Sequence, residues 1–238
     1  MSVPLDIREK GGPRNGEPQF SDRRLFMQLQ AFTGCTQPTR LIKALQTSAF
    51  ESVLYTDVND PRGVALLTWT EQPDFFTGAL RRFLLEPPFN ELQSRPEYAM
   101  LGRSYAIGYE PDLEDSLLHR PRRTVLSPGS PWAIWYPLRR RGEFSQLAPE
   151  EQSPILGEHS RIGRSFGEAG FAYDVRLACF GLDKNDNDFV IGLVGPELYP
   201  LSACIQAMRR TRQTSQFIEK MGPFFTGRAV WQSVEVGS

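Results

Sequence analysis

The feature that most constrains this chain is a cycle of hydrophobic periods that runs once and then repeats. In residues 24–32, Leu25, Met27 and Leu29 alternate with polar positions, the period of a strand with one buried face. After Pro38 the spacing becomes helical, with Leu41, Ile42 and Leu45 on one stripe. Two β-branched and aromatic runs follow at 52–57 and 64–70, separated by the turn sequence Asn59-Asp60-Pro61-Arg62-Gly63. Pro73 opens a second helix bearing Phe76, Leu80, Phe83 and Leu84, and residues 98–107 close the half as a strand. The order β-α-β-β-α-β then returns. It comprises a strand at 132–138, a helix at 149–166, strands at 171–180 and 188–194 around the polar turn 183–187, and a helix holding Leu201, Cys204, Ile205 and Met208. A strand at 224–231 ends it.

Two βαββαβ units in series predict an α+β chain with a duplicated ferredoxin-like fold. Residues 23–108 form the N-terminal half and residues 131–238 the C-terminal half. Each sheet carries helices on one face only, so joining the two bare faces predicts a dimeric α+β barrel within one chain. Residues 109–130 are rich in proline and charge and read as a linker. Residues 1–22 lack the apolar core of a signal peptide and read as a flexible tail.

Charge excludes some functions. Lys plus Arg number 27 against 28 Asp plus Glu, a net charge of −1, so nucleic acid is not an expected partner. No apolar run approaches the roughly 18 residues of a membrane span. Cys35, Cys179 and Cys204 are odd in number, widely spaced and set among apolar residues, which predicts buried free thiols and a cytoplasmic location. Lys10, Lys43, Lys184 and Lys220 are the only lysines; all other basic residues are arginines, clustered at 120–123, 139–141 and 209–212. A GC-rich coding sequence explains that bias as readily as anion binding does.

Only two histidines are present, which excludes histidine-rich metal cages. His119 precedes Arg120-Pro121-Arg122-Arg123 and is expected to be exposed. His159 shares a helical stripe with Ile155, Ile162 and Phe166, so its ring points inward, either as a hydrogen-bonded core histidine or as a single imidazole ligand to iron. In the strand FAYDVRLACF, Phe171, Tyr173, Val175, Leu177 and Cys179 share one face while Asp174 and Arg176 share the other. Those two charges face solvent, or else need a polar ligand or each other. Tyr136 stands on a strand with Trp132, Ile134 and Leu138, just ahead of Arg139-Arg140-Arg141. A phenol beside concentrated positive charge suits hydrogen bonding or proton or radical transfer.

Taken in order, WYPLRRR, PEEQ leading to EHSRIGR, GLD after a strand, MRRTRQTSQF and GPFFTG resemble the chlorite dismutase family, which includes the coproheme decarboxylases. The resemblance covers about residues 132–232 and extends more loosely, through the duplicated fold, to residue 24. It implies a haem-dependent oxidoreductase that binds haem b or coproheme, and a homopentamer with one site in each C-terminal half. His159 then corresponds to the iron ligand. Tyr136 matches the tyrosine that relays a radical to substrate propionates, and Arg140 stands where the decarboxylases have a propionate-pairing lysine. The distal position, seven residues before the glycine of GLD, is Asp174, with Arg176 two further on along the same face. The stretch between His159 and Gly181 is about two residues longer than the family pattern, so either can hold the distal role.

Three more features depart from that pattern: Arg140 replaces the lysine, Phe144 replaces a tryptophan, and Arg212 stands where chlorite dismutases carry the carboxylate that polarises the proximal histidine. The resemblance thus implies peroxide-dependent oxidative decarboxylation of coproheme, with chlorite decomposition as the alternative enzyme activity. A haem-binding or structural member without catalysis is a third reading.

Overall fold

The structure, a computed structural model, describes residues 5–234. It begins with a pair of strands, β1 (Glu9–Arg14) and β2 (Glu17–Ser21). The first repeat contains β3 (Phe26–Thr33), α1 (Pro38–Gln46), β4 (Ser52–Asp57), β5 (Val64–Thr70), the short helices α2 (Asp74–Thr77) and α3 (Ala79–Leu84), and β6 (Gln93–Arg103). A helical turn at Asp115–His119 leads into α4 (Arg120–Leu126). The second repeat contains β7 (Trp132–Arg140), α5 (Gly142–Gln146), α6 (Pro149–Glu168), β8 (Tyr173–Ala178), β9 (Phe189–Gly195), α7 (Leu198–Met208), α8 (Arg212–Phe217), β10 (Ile218–Met221) and β11 (Phe225–Gln232).

Within each repeat the fourth strand pairs with the first, the first with the third, and the third with the second. The first sheet therefore runs β6-β3-β5-β4 and the second β11-β7-β9-β8, all antiparallel. This is the duplicated ferredoxin-like arrangement. The two sheets join edge to edge through β11–β4 and β6–β8, so the hydrogen-bonded order starting at β7 returns to it through β9. The two seams differ: β11 and β4 share a run of partnered positions from Gly227–Asp57 to Gln232–Val53, whereas β6 meets β8 only at Arg103 opposite Ala178.

Alternation along the strands sorts the core into layers. Met27, Leu29, Val53, Tyr55, Leu67, Trp135, Val175, Leu177 and Val190 point inside the ring and form one continuous cluster. Leu54, Val64 and Leu66 point outward against Leu41, Leu45 and Leu80 of the first-half helices. Ile134, Tyr136, Leu138 and Leu193 point outward against Leu201 and Cys204 of α7. The thiols of Cys35, Cys179 and Cys204 are all buried and free.

Two stretches differ from the sequence expectation. Residues 9–21 of the expected flexible tail form the β1–β2 hairpin, turned at Asn15 (φ 53°) and Gly16 (φ 84°), a pair suited to left-handed backbone. The expected linker is helical and caps the ring: Leu113, Leu117, Leu118, Val125 and Leu126 are buried in its inner cluster. It is tied to the first half by Arg122, which donates two hydrogen bonds to Glu51 (3.0 and 2.7 Å), and by Glu114, which pairs with Arg23. His119 is exposed.

Candidate functional site

The outward faces of the two sheets are filled differently. On the first, the space under the helices is apolar, with Leu54 on its second strand. On the second, the matching strand β8 presents Asp174 and Arg176, while its other face sends Val175 and Leu177 into the ring. The charged pair therefore lies on the sheet face that carries the helices, and there it stays partly exposed to solvent. Arg176 Nε lies 2.8 Å from Asp174 Oδ2, an ion pair too poorly aligned to count as a hydrogen bond.

Over this face runs α6, started by Pro149 at its first turn and by Glu151, which accepts from the Ala148 N–H at 3.1 Å. Of its 20 residues only Ile155 is buried, and His159 follows one turn later on the same stripe. His159 Nδ1 lies 3.4 Å from Thr211 Oγ1. That hydroxyl donates to the Met208 carbonyl at 2.8 Å and accepts from the Thr214 N–H at 3.3 Å. The Met208 carbonyl is the shortest of the contacts open to the Thr211 proton, ahead of Thr214 Oγ1 at 3.3 Å; with the proton there, the hydroxyl accepts from Nδ1 and the Nε2 lone pair is left available. Burial, helped by the positive charges of Arg176 and Arg140, holds His159 below the usual imidazole range, with Asp174 and Glu158 opposing. A neutral imidazole with a free nitrogen is what an iron ligand requires.

The expected polarising position at Arg212 is corrected by one residue. Arg212 contributes its backbone N–H to Glu158 Oε2 (3.1 Å), and the acceptor facing His159 is Thr211.

Arg140 lies between two rings, 4.4 Å from the centroid of Phe144 and 4.9 Å from that of Phe189. Its Nε is buried without a partner, and burial pulls the group below the ordinary guanidinium range. Phe144, at the position of the expected tryptophan, thus serves as a face for this cation. Arg139, one residue away, is spent elsewhere: it binds the β8–β9 turn through Asp186 Oδ2 (2.6 Å) and the Asp186 and Asn185 carbonyls.

Tyr136 is 5% exposed and stacks on Phe224 (4.7 Å between centroids). Its hydroxyl makes no hydrogen bond among the described residues, and burial pushes the phenol well above its usual range, with Cys204 and Asp174 reinforcing and Arg209 opposing.

Tyr105, just beyond β6, was not signalled by the sequence. Its ring lies 5.7 Å from Phe189, and its phenol stands in the field of Arg176, Arg140 and Asp174, the groups that also act on His159. Nothing local in the sequence could identify it, because it reaches the site from the other half.

A separate shallow hollow of about 370 Å³, between α7 and strands β7 and β11, is lined by Ile134, Ser202, Ile205, Arg209 and Phe224. Arg209 is its only charge, and the titratable groups converge elsewhere.

The family model for chlorite dismutase matches residues 88–230. The chain belongs to the chlorite dismutase family. Members of this family are haem-dependent enzymes. Comparison with curated protein sequences gives no match. Among solved structures, a haem-binding protein from Thermus thermophilus is 18% identical, with a TM-score of 0.66 over 87% of this chain and 91% of that one. Chlorite dismutase from Candidatus Nitrospira defluvii, as an arginine-to-lysine variant, is 15% identical with a TM-score of 0.65 over 88% and 92%. Its complex with imidazole is 14% identical, also at 0.65 over 88% and 92%. At these identities the likeness is one of fold. No described helix is long and apolar enough to cross a membrane.

Proposed function

We propose that this family member binds an iron tetrapyrrole on the outward face of its second sheet and carries out peroxide-dependent oxidative decarboxylation of coproheme propionates. The donor set fits such a group: one neutral imidazole, and a half-buried guanidinium whose Nε has no hydrogen-bond partner among the described residues. The bound tetrapyrrole would supply the redox chemistry with peroxide; each propionate converted would consume one peroxide and become a vinyl group on the ring, with release of carbon dioxide and two waters.

In this reading His159 Nε2 holds the iron while Thr211 fixes the ring and tautomer. Arg140, held flat between Phe144 and Phe189, pairs with a propionate. Tyr136 relays the oxidising equivalent to the substrate side chain. Its buried phenol stays protonated at neutral pH, so it can lose electron and proton together. Asp174 and Arg176 would flank the bound group from β8, and Arg176 would help to orient incoming peroxide.

The observation that carries the choice of reaction is the Asp174–Arg176 ion pair. An arginine already partnered by a carboxylate is a poor holder for the chlorite anion, whereas neutral peroxide is not repelled by that carboxylate. We further propose a cytoplasmic homo-oligomer, a pentamer by family resemblance. Adding coproheme and then peroxide tests the reaction by following the conversion of propionates to vinyls. Product is expected from wild type and lost in Tyr136→Phe, while His159→Ala is expected to lose the Soret shift. Oxygen release from chlorite would replace this reading with chlorite decomposition. Absence of a Soret shift in wild type would remove both.

A further inference from the structure

The segment carrying Tyr105 is held from outside its own strand. Glu9 of β1 has a side chain only 13% exposed, and both of its carboxylate oxygens are engaged. Oε1 accepts from Arg24 Nε and from Arg103 Nη1, each at 3.0 Å, and Oε2 accepts from the Ala106 backbone N–H at 3.0 Å. Arg103 and Ala106 bracket Tyr105. Between them Ser104 is fixed to Leu25 in both directions, its N–H donating to the Leu25 carbonyl (2.8 Å) and its Oγ accepting from the Leu25 N–H (2.9 Å). The hairpin is fastened to the same stretch by the Gly12 N–H on the Glu110 carbonyl (3.0 Å) and by Gln19 Oε1, which accepts from the Leu113 N–H (3.0 Å).

We propose that Glu9 is a positioning residue of the tetrapyrrole site: by clamping Arg103 and Ala106 it holds the Tyr105 ring against Phe189 (5.7 Å between centroids), the ring that Arg140 also covers (4.9 Å). The N-terminal hairpin is then a working part of a site that Tyr105 enters from the first half while His159, Arg140 and Arg176 come from the second. The functional meaning rests on the tetrapyrrole reading above; the positioning itself does not. A carboxylate with both oxygens engaged and little solvent around it holds the backbone more tightly than a neutral acceptor would. If Glu9 served only to attach the hairpin, its loss would lower stability without moving Tyr105.

The experiment has two arms. In the first, fluorotyrosine is placed at position 105, and at Tyr199 (79% exposed) as a control, in the protein without tetrapyrrole. Glu9→Ala is expected to shift or broaden the fluorine signal at 105 and leave that at 199 unchanged, with Glu9→Gln intermediate. An unmoved signal at 105 in folded Glu9→Ala overturns the proposal. In the second arm, coproheme affinity is measured for Glu9→Ala, Tyr105→Phe and the double variant. Each single change is expected to weaken binding about tenfold, and the double change also about tenfold, because both act through one phenol. An additive, roughly hundredfold loss overturns the proposal. If no tetrapyrrole binds at all, the function reading fails while the fluorine arm still decides the positioning.

Discussion

At the scale of single residues, the site depends on where one hydroxyl proton goes. With the Thr211 proton on the Met208 carbonyl, its shortest acceptor at 2.8 Å, the hydroxyl accepts from His159. Thr211→Val is expected to weaken haem binding by about 10- to 100-fold, while Thr211→Ser keeps the acceptor and the affinity; Soret titration distinguishes them. Asp174 restrains Arg176 through a partly exposed pair, of a kind that contributes ~0.2–1 kcal/mol. Asp174→Asn is therefore expected to tighten azide binding to the haem-loaded protein by about two- to fivefold. The faces of His159, Tyr136, Asp174 and Arg176 are legible because strand and helix periods place each on a definite side, while Arg140 is singled out only by the family resemblance. Tyr105 and Phe189 were not, since what makes them neighbours is the closure of one half on the other. Thr211 was hidden by a misplacement of one residue, which along a turn exchanges a side chain for a backbone group.

At the scale of elements, the two βαββαβ cycles were readable because each strand alternates and each helix carries a stripe. The hairpin was not read as one, although Asn15-Gly16 is a strong turn signal, because its flanks lack the alternating apolar residues that normally accompany it. Its stability comes from polar ties to the 103–113 stretch, which no local pattern reveals. The helical connection was read as a linker because Pro121 and four arginines or histidines dominate 119–123, masking Leu117, Leu118 and Val125. Leu117 is fully buried at the end of the ring, so Leu117→Ala is expected to cost about 2–5 kcal/mol in urea unfolding, an ordinary core penalty rather than a linker-like neutral change.

At the scale of the whole molecule, burial makes the thiols inert. It raises Cys179 to about 12 and Cys204 to about 11, and pushes Cys35 upward as well. The native protein is therefore expected to leave all three unreacted with a thiol reagent at pH 8. Unfolding restores ordinary thiol acidity near ~8.5 and should expose three equivalents. Closure of the ring also depends on close approach at Gly102, where an added Cβ would lie 2.6 Å from Leu177 Cβ and 3.1 Å from the Ala178 carbonyl. Gly102→Ala is expected to cost about 1–3 kcal/mol, read as a lowered Tm.

The unequal seams make the molecule a cuff with one thin join. Of backbone pairing, opening at β6–β8 breaks the single Arg103–Ala178 position and unpicks neither four-stranded sheet, while it parts Gly102 from Leu177 and Tyr105 from Phe189. This seam is therefore the place where the two halves part most easily in backbone pairing. Hydrogen exchange is expected to run faster along 100–106 and 176–178 than along the β11–β4 seam, and to slow there when the tetrapyrrole binds.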